Sequence, residues 1–213
     1  MLVGERMSHP VITVSPDTPV LDAVDMLRKE RIRRAPVVQD GKLVGIVSEK
    51  DMLNASPSSA TLLSVWEVHY LVSKIKVKDV MTKKVLTVTE DTPIEEAARI
   101  MADNKVGGLP VMRDGKIVGI ITETDIFKLM LEMMGARQKG VRIAVLVPNV
   151  AGEIAQLSRA VFEKGGNIIA LGTFAGEDPS TSELVFKVEG VSEQELRATL
   201  APLVVKLKDV RTI

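Results

Sequence analysis

Two carboxylates stand out by the company they keep: Asp51 and Asp125 each follow a hydroxyl residue by three positions, Ser48 and Thr122, and each hydroxyl follows a glycine and two apolar residues. The two stretches read Gly45-Ile46-Val47-Ser48-Glu49-Lys50-Asp51 and Gly119-Ile120-Ile121-Thr122-Glu123-Thr124-Asp125. The glycine permits close backbone approach, and a junction from strand to helix leaves N–H groups free to face an anion. A simpler role is also open, in which Ser48 and Thr122 cap a helix whose first turn carries the carboxylate. Other chemistry is thinly supplied. With no cysteine, thiol catalysis, thiolate metal sites and disulfides are excluded. The two histidines, His9 and His69, stand in unrelated contexts without a second ligand at metal-binding spacing, so both read as structural or surface residues. No nucleophile and base pair and no phosphate-binding glycine loop is present.

The doubled motif belongs to a longer repeat. Met7 to Met52 and Met81 to Ile126 align without a gap, with 18 of 46 positions identical, among them Asp17-Thr18-Pro19 and Asp91-Thr92-Pro93. Two copies are too few for a solenoid, so two similar units packed on each other are expected, with function in the cleft between them. In each copy a short β-rich run (Val11 to Val14 in the first) precedes a helix opened by Thr18-Pro19 or Thr92-Pro93, where Thr92 and Glu95 have the spacing of a capping box. Two apolar runs joined by Asp40-Gly41 or Asp114-Gly115 then predict a hairpin, and the Ser/Thr-x-x-Asp motif opens a last helix.

Strand, helix, hairpin and helix, twice over with this motif, resemble the CBS domain, a regulatory module that occurs in tandem pairs. The resemblance covers 7–54 and 81–134, separated by a linker at 55–80. It implies that Asp51 and Asp125 hold the ribose of an adenine nucleotide, each carboxylate accepting hydrogen bonds from two vicinal hydroxyls, with Ser48 and Thr122 close to ribose or phosphate. In that family basic residues ahead of the central proline meet phosphates, which directs attention to Arg31, Arg33 and Arg34 before Pro36 and to Lys105 before Pro110. A solvated helix end is the competing reading for Lys105. Gly107-Gly108 replaces Arg33-Arg34 in the second copy, so the two sites should differ, with a phosphate-rich ligand near the arginines. Family contacts from the first strand and from the pre-proline segment add Thr13, Ile32, Thr87 and Val106 as base or ribose neighbours. The implied ligands are AMP, ADP, ATP or S-adenosylmethionine, as regulators rather than cofactors.

Between the copies, Leu62 to Val72 read as a helix carrying Trp66 and Tyr70, a core or subunit contact. Lys74, Lys76, Lys78, Lys83 and Lys84 then read as a solvated connector or a rim for an anionic ligand. After Gly135 and a short basic linker the pattern changes to strand, helix, strand, strand, helix and strand over 141–213, a ferredoxin-like βαββαβ unit and an α+β class for the whole. With Pro148-Asn149-Val150-Ala151-Gly152 at the first turn and Gly165-Gly166-Asn167-Ile168 opening the second strand, this third resembles an ACT domain, an amino-acid-sensing module. That implies an effector site at Asn149, Gly152, Asn167 and Ile168, at a dimer interface. The combination is similar to acetoin-utilisation B-type proteins.

Lysine plus arginine and aspartate plus glutamate both number 28, and aromatics are 3% of the 213 residues. That balance argues against a nucleic-acid surface. No apolar run reaches the roughly 18 residues of a membrane span, and no secretory leader is evident, so a soluble cytoplasmic protein is expected. The sequence therefore points to a noncatalytic sensor, homodimeric, with small-molecule effectors and a partner enzyme it does not identify. A scaffold that binds only another protein is the alternative.

Overall fold

A computed structural model describes residues 1–54 and 73–213; the expected aromatic helix with Trp66 and Tyr70 lies outside them. The chain forms two compact units, Met1–Ile126 and Phe127–Ile213. In the first unit the first repeat supplies α1 (Val20–Lys29), β1 (Arg34–Gln39), β2 (Lys42–Ser48) and α2 (Glu49–Asn54). The chain leading into the second forms α3 (Val77–Val80), and the second itself supplies β3 (Val88–Thr89), α4 (Ile94–Asn104), β4 (Gly108–Arg113) and β5 (Lys116–Thr122), and opens α5 (Glu123–Met133). Both hairpins turn through Asp-Gly with positive φ at each residue (51° and 75°, then 49° and 75°), the turn that pair favours. They also share one register, bulge included, between Val37 and Val38 and between Val111 and Met112.

The repeats are interlocked by their leading segments. Residues ahead of the first repeat bond to the second, Val3 N–H donating to Thr92 O and Gly4 N–H to Glu90 O, both at 2.9 Å, and Ser8, at the start of the first repeat, pairs with Ile120. Residues ahead of the second repeat bond to the first in the same way, Val77 N–H to Thr18 O at 2.9 Å, and Thr82, at the start of the second repeat, pairs with Ile46. Val3 and Val77 are fully buried, and Val77 joins the cluster of Val20, Ala23, Val24, Leu27, Val37, Val47 and Met52. Met7 and Met81 lie where a Cβ on Gly119 and Gly45 would stand, which is why a glycine sits in each motif strand. Outside the core, Lys78 and Lys76 donate to Asp17 (2.8 and 3.1 Å), and these bonds, that from Lys78 foremost, hold its carboxyl below the usual range.

This interlock corrects two expectations. Thr18 and Thr92 do not cap α1 and α4: the N-caps are Pro19 and Pro93, without a side-chain cap bond, and Thr92 Oγ1 instead accepts from Thr89 N–H at 3.1 Å. The first helical N–H groups are satisfied by the incoming chain, Val20 N–H by Ile75 O at 2.9 Å and Ile94 N–H by Met1 O at 3.2 Å. The expected strand Val11 to Val14 shrinks to one parallel bridge between Val14 and Val37, because Val14 alone of that run is buried.

The second unit holds β6 (Val141–Pro148), α6 (Glu153–Glu163), β7 (Asn167–Ala175), β8 (Thr181–Glu189), α7 (Glu193–Leu200) and β9 (Lys206–Thr212). Its sheet is antiparallel in the order β7-β8-β6-β9, the split βαββαβ arrangement. Alternate residues Val141, Ile143, Val145 and Val147 face Leu157, Val161, Leu196 and Leu200 of the helices. Lys187, only 4% exposed, is retained by donating Nζ–H to Gly135 O and Gln138 O at 3.0 and 2.6 Å.

Because Val77 precedes the second repeat but packs in the first, Val77→Ala should lower stability to urea unfolding by about 2 kcal/mol. Lys83→Ala, at an exposed neighbour, should stay within about 0.5 kcal/mol. Equal, small effects would mean that the leading segment does not hold the repeats together.

Candidate functional site

Each motif closes on itself before it offers anything to a ligand. Ser48 N–H and its Oγ–H both donate to Asp51 Oδ2, at 2.9 and 2.6 Å, and Asp51 N–H returns a bond to Ser48 Oγ at 3.2 Å. Thr122 N–H and Oγ1–H likewise donate to Asp125 Oδ2, at 3.0 and 2.7 Å. Ser48 thus caps α2 at Asp51 N–H while the Asp51 carboxylate closes back on the Ser48 backbone and hydroxyl. At Asp51 the motif bonds converge on Oδ2, so Oδ1 keeps its acceptor capacity, the chemistry that vicinal hydroxyls need. Asp51 is half-buried and Asp125 is 9% exposed.

A cleft of about 500 Å³ opens in front of Asp51, within the usual range for small-molecule sites. Ile46, Val47, Ser48, Asp51 and Arg34 come from the first repeat; Asn104, Lys105, Val106, Gly107, Gly108 and Leu109 come from the second. Thr82, Lys84, Val85 and Leu86, from the chain leading into β3, complete the wall. The apolar wall suits a flat ring and the polar residues a hydroxylated or charged group. Sequence reasoning missed Val85, Leu86 and Asn104; the pairing of Thr82 with Ile46 brings this chain to the motif, and that exchange has no local signal.

The other candidates divide. Lys105 is the left-handed C-cap of α4 (φ 53°) and lines the cleft, whereas its counterpart Arg31 (φ 54°) is exposed and outside the lining. Val106 lines the cleft; Ile32 instead packs on the core of the first repeat. Thr13 and Thr87 are exposed and outside the lining. Arg33 and Arg34 part company: Arg33 Nη2–H donates to Thr124 Oγ1 at 2.8 Å, while Arg34 turns into the cleft. A Cβ on Gly107 or Gly108 would collide with the Arg34 guanidinium, so the glycine pair is the space it occupies. Burial draws the Arg34 pKa below its ordinary value, opposed through space by Glu123 and Asp51.

In the second unit a pocket of about 630 Å³ is lined by Asn149, Gly152, Ile154, Thr173, Ser182 and Leu184 among others. Gly152, the N-cap of α6, has a φ of 101°, a conformation that favours glycine. Asn149 is held by the chain entering β8, donating Nδ2–H to Pro179 O at 3.2 Å and accepting Ser182 Oγ–H at 3.1 Å. Asn167 and Ile168 are not in this lining: Asn167 Nδ2–H donates to Glu189 Oε1 at 2.7 Å, and Ile168 packs against the core. Among the described residues no group of three or more histidine, aspartate or glutamate side chains could hold a metal, and no helix is long and apolar enough to cross a membrane.

If Ser48 is the hinge of the motif, Ser48→Ala should cost about 1 kcal/mol of stability in denaturant unfolding. An unchanged midpoint would reduce the reciprocal bonds to incidental contacts.

The chain belongs to the CBS domain family, whose pattern matches residues 3–58 and 77–132. It is 33% identical over 155 residues to an uncharacterised protein of Methanocaldococcus jannaschii, an alignment covering 62% of this chain and 92% of that relative. Among solved structures it is similar to the CBS domain pair of protein MJ0100 in complex with 5′-methylthioadenosine and S-adenosyl-L-methionine, at 30% identity and a TM-score of 0.52, covering 65% of this chain and 98% of that one. It is also similar to a putative acetoin utilization protein from Vibrio cholerae, at 28% identity and a TM-score of 0.54, over 65% and 96% of the two chains.

Proposed function

We propose that the protein is a noncatalytic regulatory sensor that takes an adenosine-containing ligand, AMP, ADP, ATP or S-adenosylmethionine, in the cleft between its repeats. The observation that carries this reading is the meeting of Asp51, with Oδ1 open to a ligand, and the apolar segment of Leu86 and Val106 from the other repeat. Ribose hydroxyls donate to Asp51, and the base stacks against the aliphatic wall. Thr122 and Asp125 repeat the motif geometry and form the second candidate ribose site. The MJ0100 pair, which binds two adenosine derivatives, supports the ligand class.

The C-terminal unit is proposed as an ACT domain on the strength of its βαββαβ order and the pocket at Asn149 and Gly152, with an amino acid as effector. In this account the chain works as a cytoplasmic homodimer. Each ligand moves it between arrangements only to the extent that it binds one more tightly than the other.

Calorimetric titration of the wild type with the four adenosine ligands should give saturable binding of at least one, without turnover. Asp51→Ala should weaken it roughly 10- to 100-fold, the range for hydrogen bonds to a charged group. Binding unaltered by both Asp51→Ala and Asp125→Ala would remove the ribose assignment, and silence with all four ligands would favour a scaffold. The amino-acid reading fails if amino acids change neither melting temperature nor oligomer equilibrium.

A further inference from the structure

With no cysteine, the chain carries its sulfur in ten methionines, and two of them, Met7 and Met81, occupy the same place in the two repeats. Each heads a repeat, and its Sδ is the nearest atom to the point that a Cβ on the opposite motif glycine would take, Gly119 for Met7 and Gly45 for Met81. Beside Met81, Thr82 N–H donates to Ile46 O at 2.9 Å and Ile46 N–H to Thr82 O at 3.0 Å. Ser8 and Ile120 exchange the same two bonds beside Met7, at 2.9 and 3.1 Å. Each thioether therefore fills a joint between the repeats, and Met81 packs in addition on the core of the first. Yet neither residue is sealed. Met7 and Met81 are partly open to solvent, whereas Met52 and Met101 are buried and Met130 and Met133 are exposed on α5. Where an accessible methionine carries a packed joint, one added oxygen changes the fold, because a sulfoxide is polar and an apolar contact does not satisfy it.

We propose that Met7 and Met81 are a pair of oxidation sites through which a peroxide loosens the interlock of the repeats. The sulfur lone pair attacks one oxygen of hydrogen peroxide, and the S–O bond forms as the O–O bond breaks. Sulfur is oxidised by two electrons and the peroxide reduced; the transferred oxygen gives up its proton to the departing hydroxide, which leaves as water. The sulfoxide oxygen cannot stay against a strand so close that only a glycine fits there, so the side chain swings out and the neighbouring backbone pair loses its cover. Met81 is the more consequential of the two. It leaves the core of the first repeat as it moves, and the pair it covers, Ile46 and Thr82, lines the Asp51 cleft. Oxygen added to Met130 or Met133 disturbs no such joint, and Met52 and Met101 are out of a peroxide's reach. This holds whatever the cleft binds.

The test treats the folded full chain with hydrogen peroxide, locates sulfoxide by peptide mass mapping and follows the melting temperature. The wild type should gain sulfoxide at Met7 and Met81 and melt about 5 °C lower, the scale of loss expected when a polar group enters an apolar contact. The double variant Met7→Leu, Met81→Leu, nearly conserved in volume, should melt close to the untreated wild type and keep that temperature in peroxide. Met130→Leu with Met133→Leu should lose as much as the wild type. The inference is overturned if Met7 and Met81 stay unmodified once Met130 and Met133 are fully oxidised, if their oxidation leaves the melting temperature unchanged, or if the variant at 7 and 81 loses as much as the wild type. Should that variant not fold, the time course on the wild type decides: the fall in melting temperature must follow sulfoxide at Met7 and Met81 and not at Met130 and Met133.

Discussion

The exchange of leading segments is the constraint on which the first unit depends. Each repeat lacks a cap for its first long helix and a residue for its core, and each receives both from the chain ahead of the other repeat: Ile75 O and Val77 in one direction, Met1 O and Val3 in the other. An orphan helical N–H and a core vacancy are costly separately, and here one short segment settles both. The same segments bring Met81 onto Gly45 and Met7 onto Gly119, so the two motif strands are covered by chain from the opposite repeat. A repeat expressed alone would lack its cap, part of its core and one wall of its cleft.

From that interlock the cleft follows, and so does its asymmetry. Pseudo-symmetry alone would give two equivalent sites. Replacing Arg33-Arg34 by Gly107-Gly108 breaks the equivalence, because the glycines vacate the space into which Arg34 folds. Arg33 meanwhile binds Thr124 in the second motif. One arginine thus ties the repeats together and the other carries charge into the Asp51 cleft. The motif carboxylates show a comparable division of labour, one oxygen serving the helix start and so fixing where the rest of the group points.

Much of this was legible in the residues. The Asp-Gly pairs fixed both hairpins because few dipeptides accept two successive positive φ values. The doubled Ser/Thr-x-x-Asp motif announced its own geometry, since that spacing returns a carboxylate to the backbone of the hydroxyl residue. The alternation of Val141, Ile143, Val145 and Val147 identified a half-buried strand. What sequence missed was non-local. Thr18 and Thr92 carry a capping signature, but a carbonyl from 57 positions later in one case and from Met1 in the other takes the task. Val85 and Leu86 look like any apolar pair until the exchange carries them to Asp51. The four proposed effector residues of the second unit split two and two because β7 begins at Asn167, away from the turn at Asn149 and Gly152.

The account stands or falls on where an adenosine ligand sits, and a crystal structure of the full chain grown with AMP tests that most directly. It should place the ribose hydroxyls within hydrogen-bond distance of Asp51 Oδ1, the base against Leu86 and Val106, and the phosphate on Arg34, so that one ligand touches both repeats. A nucleotide seated within a single repeat, or bound away from Asp51 and the 104–108 segment, would contradict it.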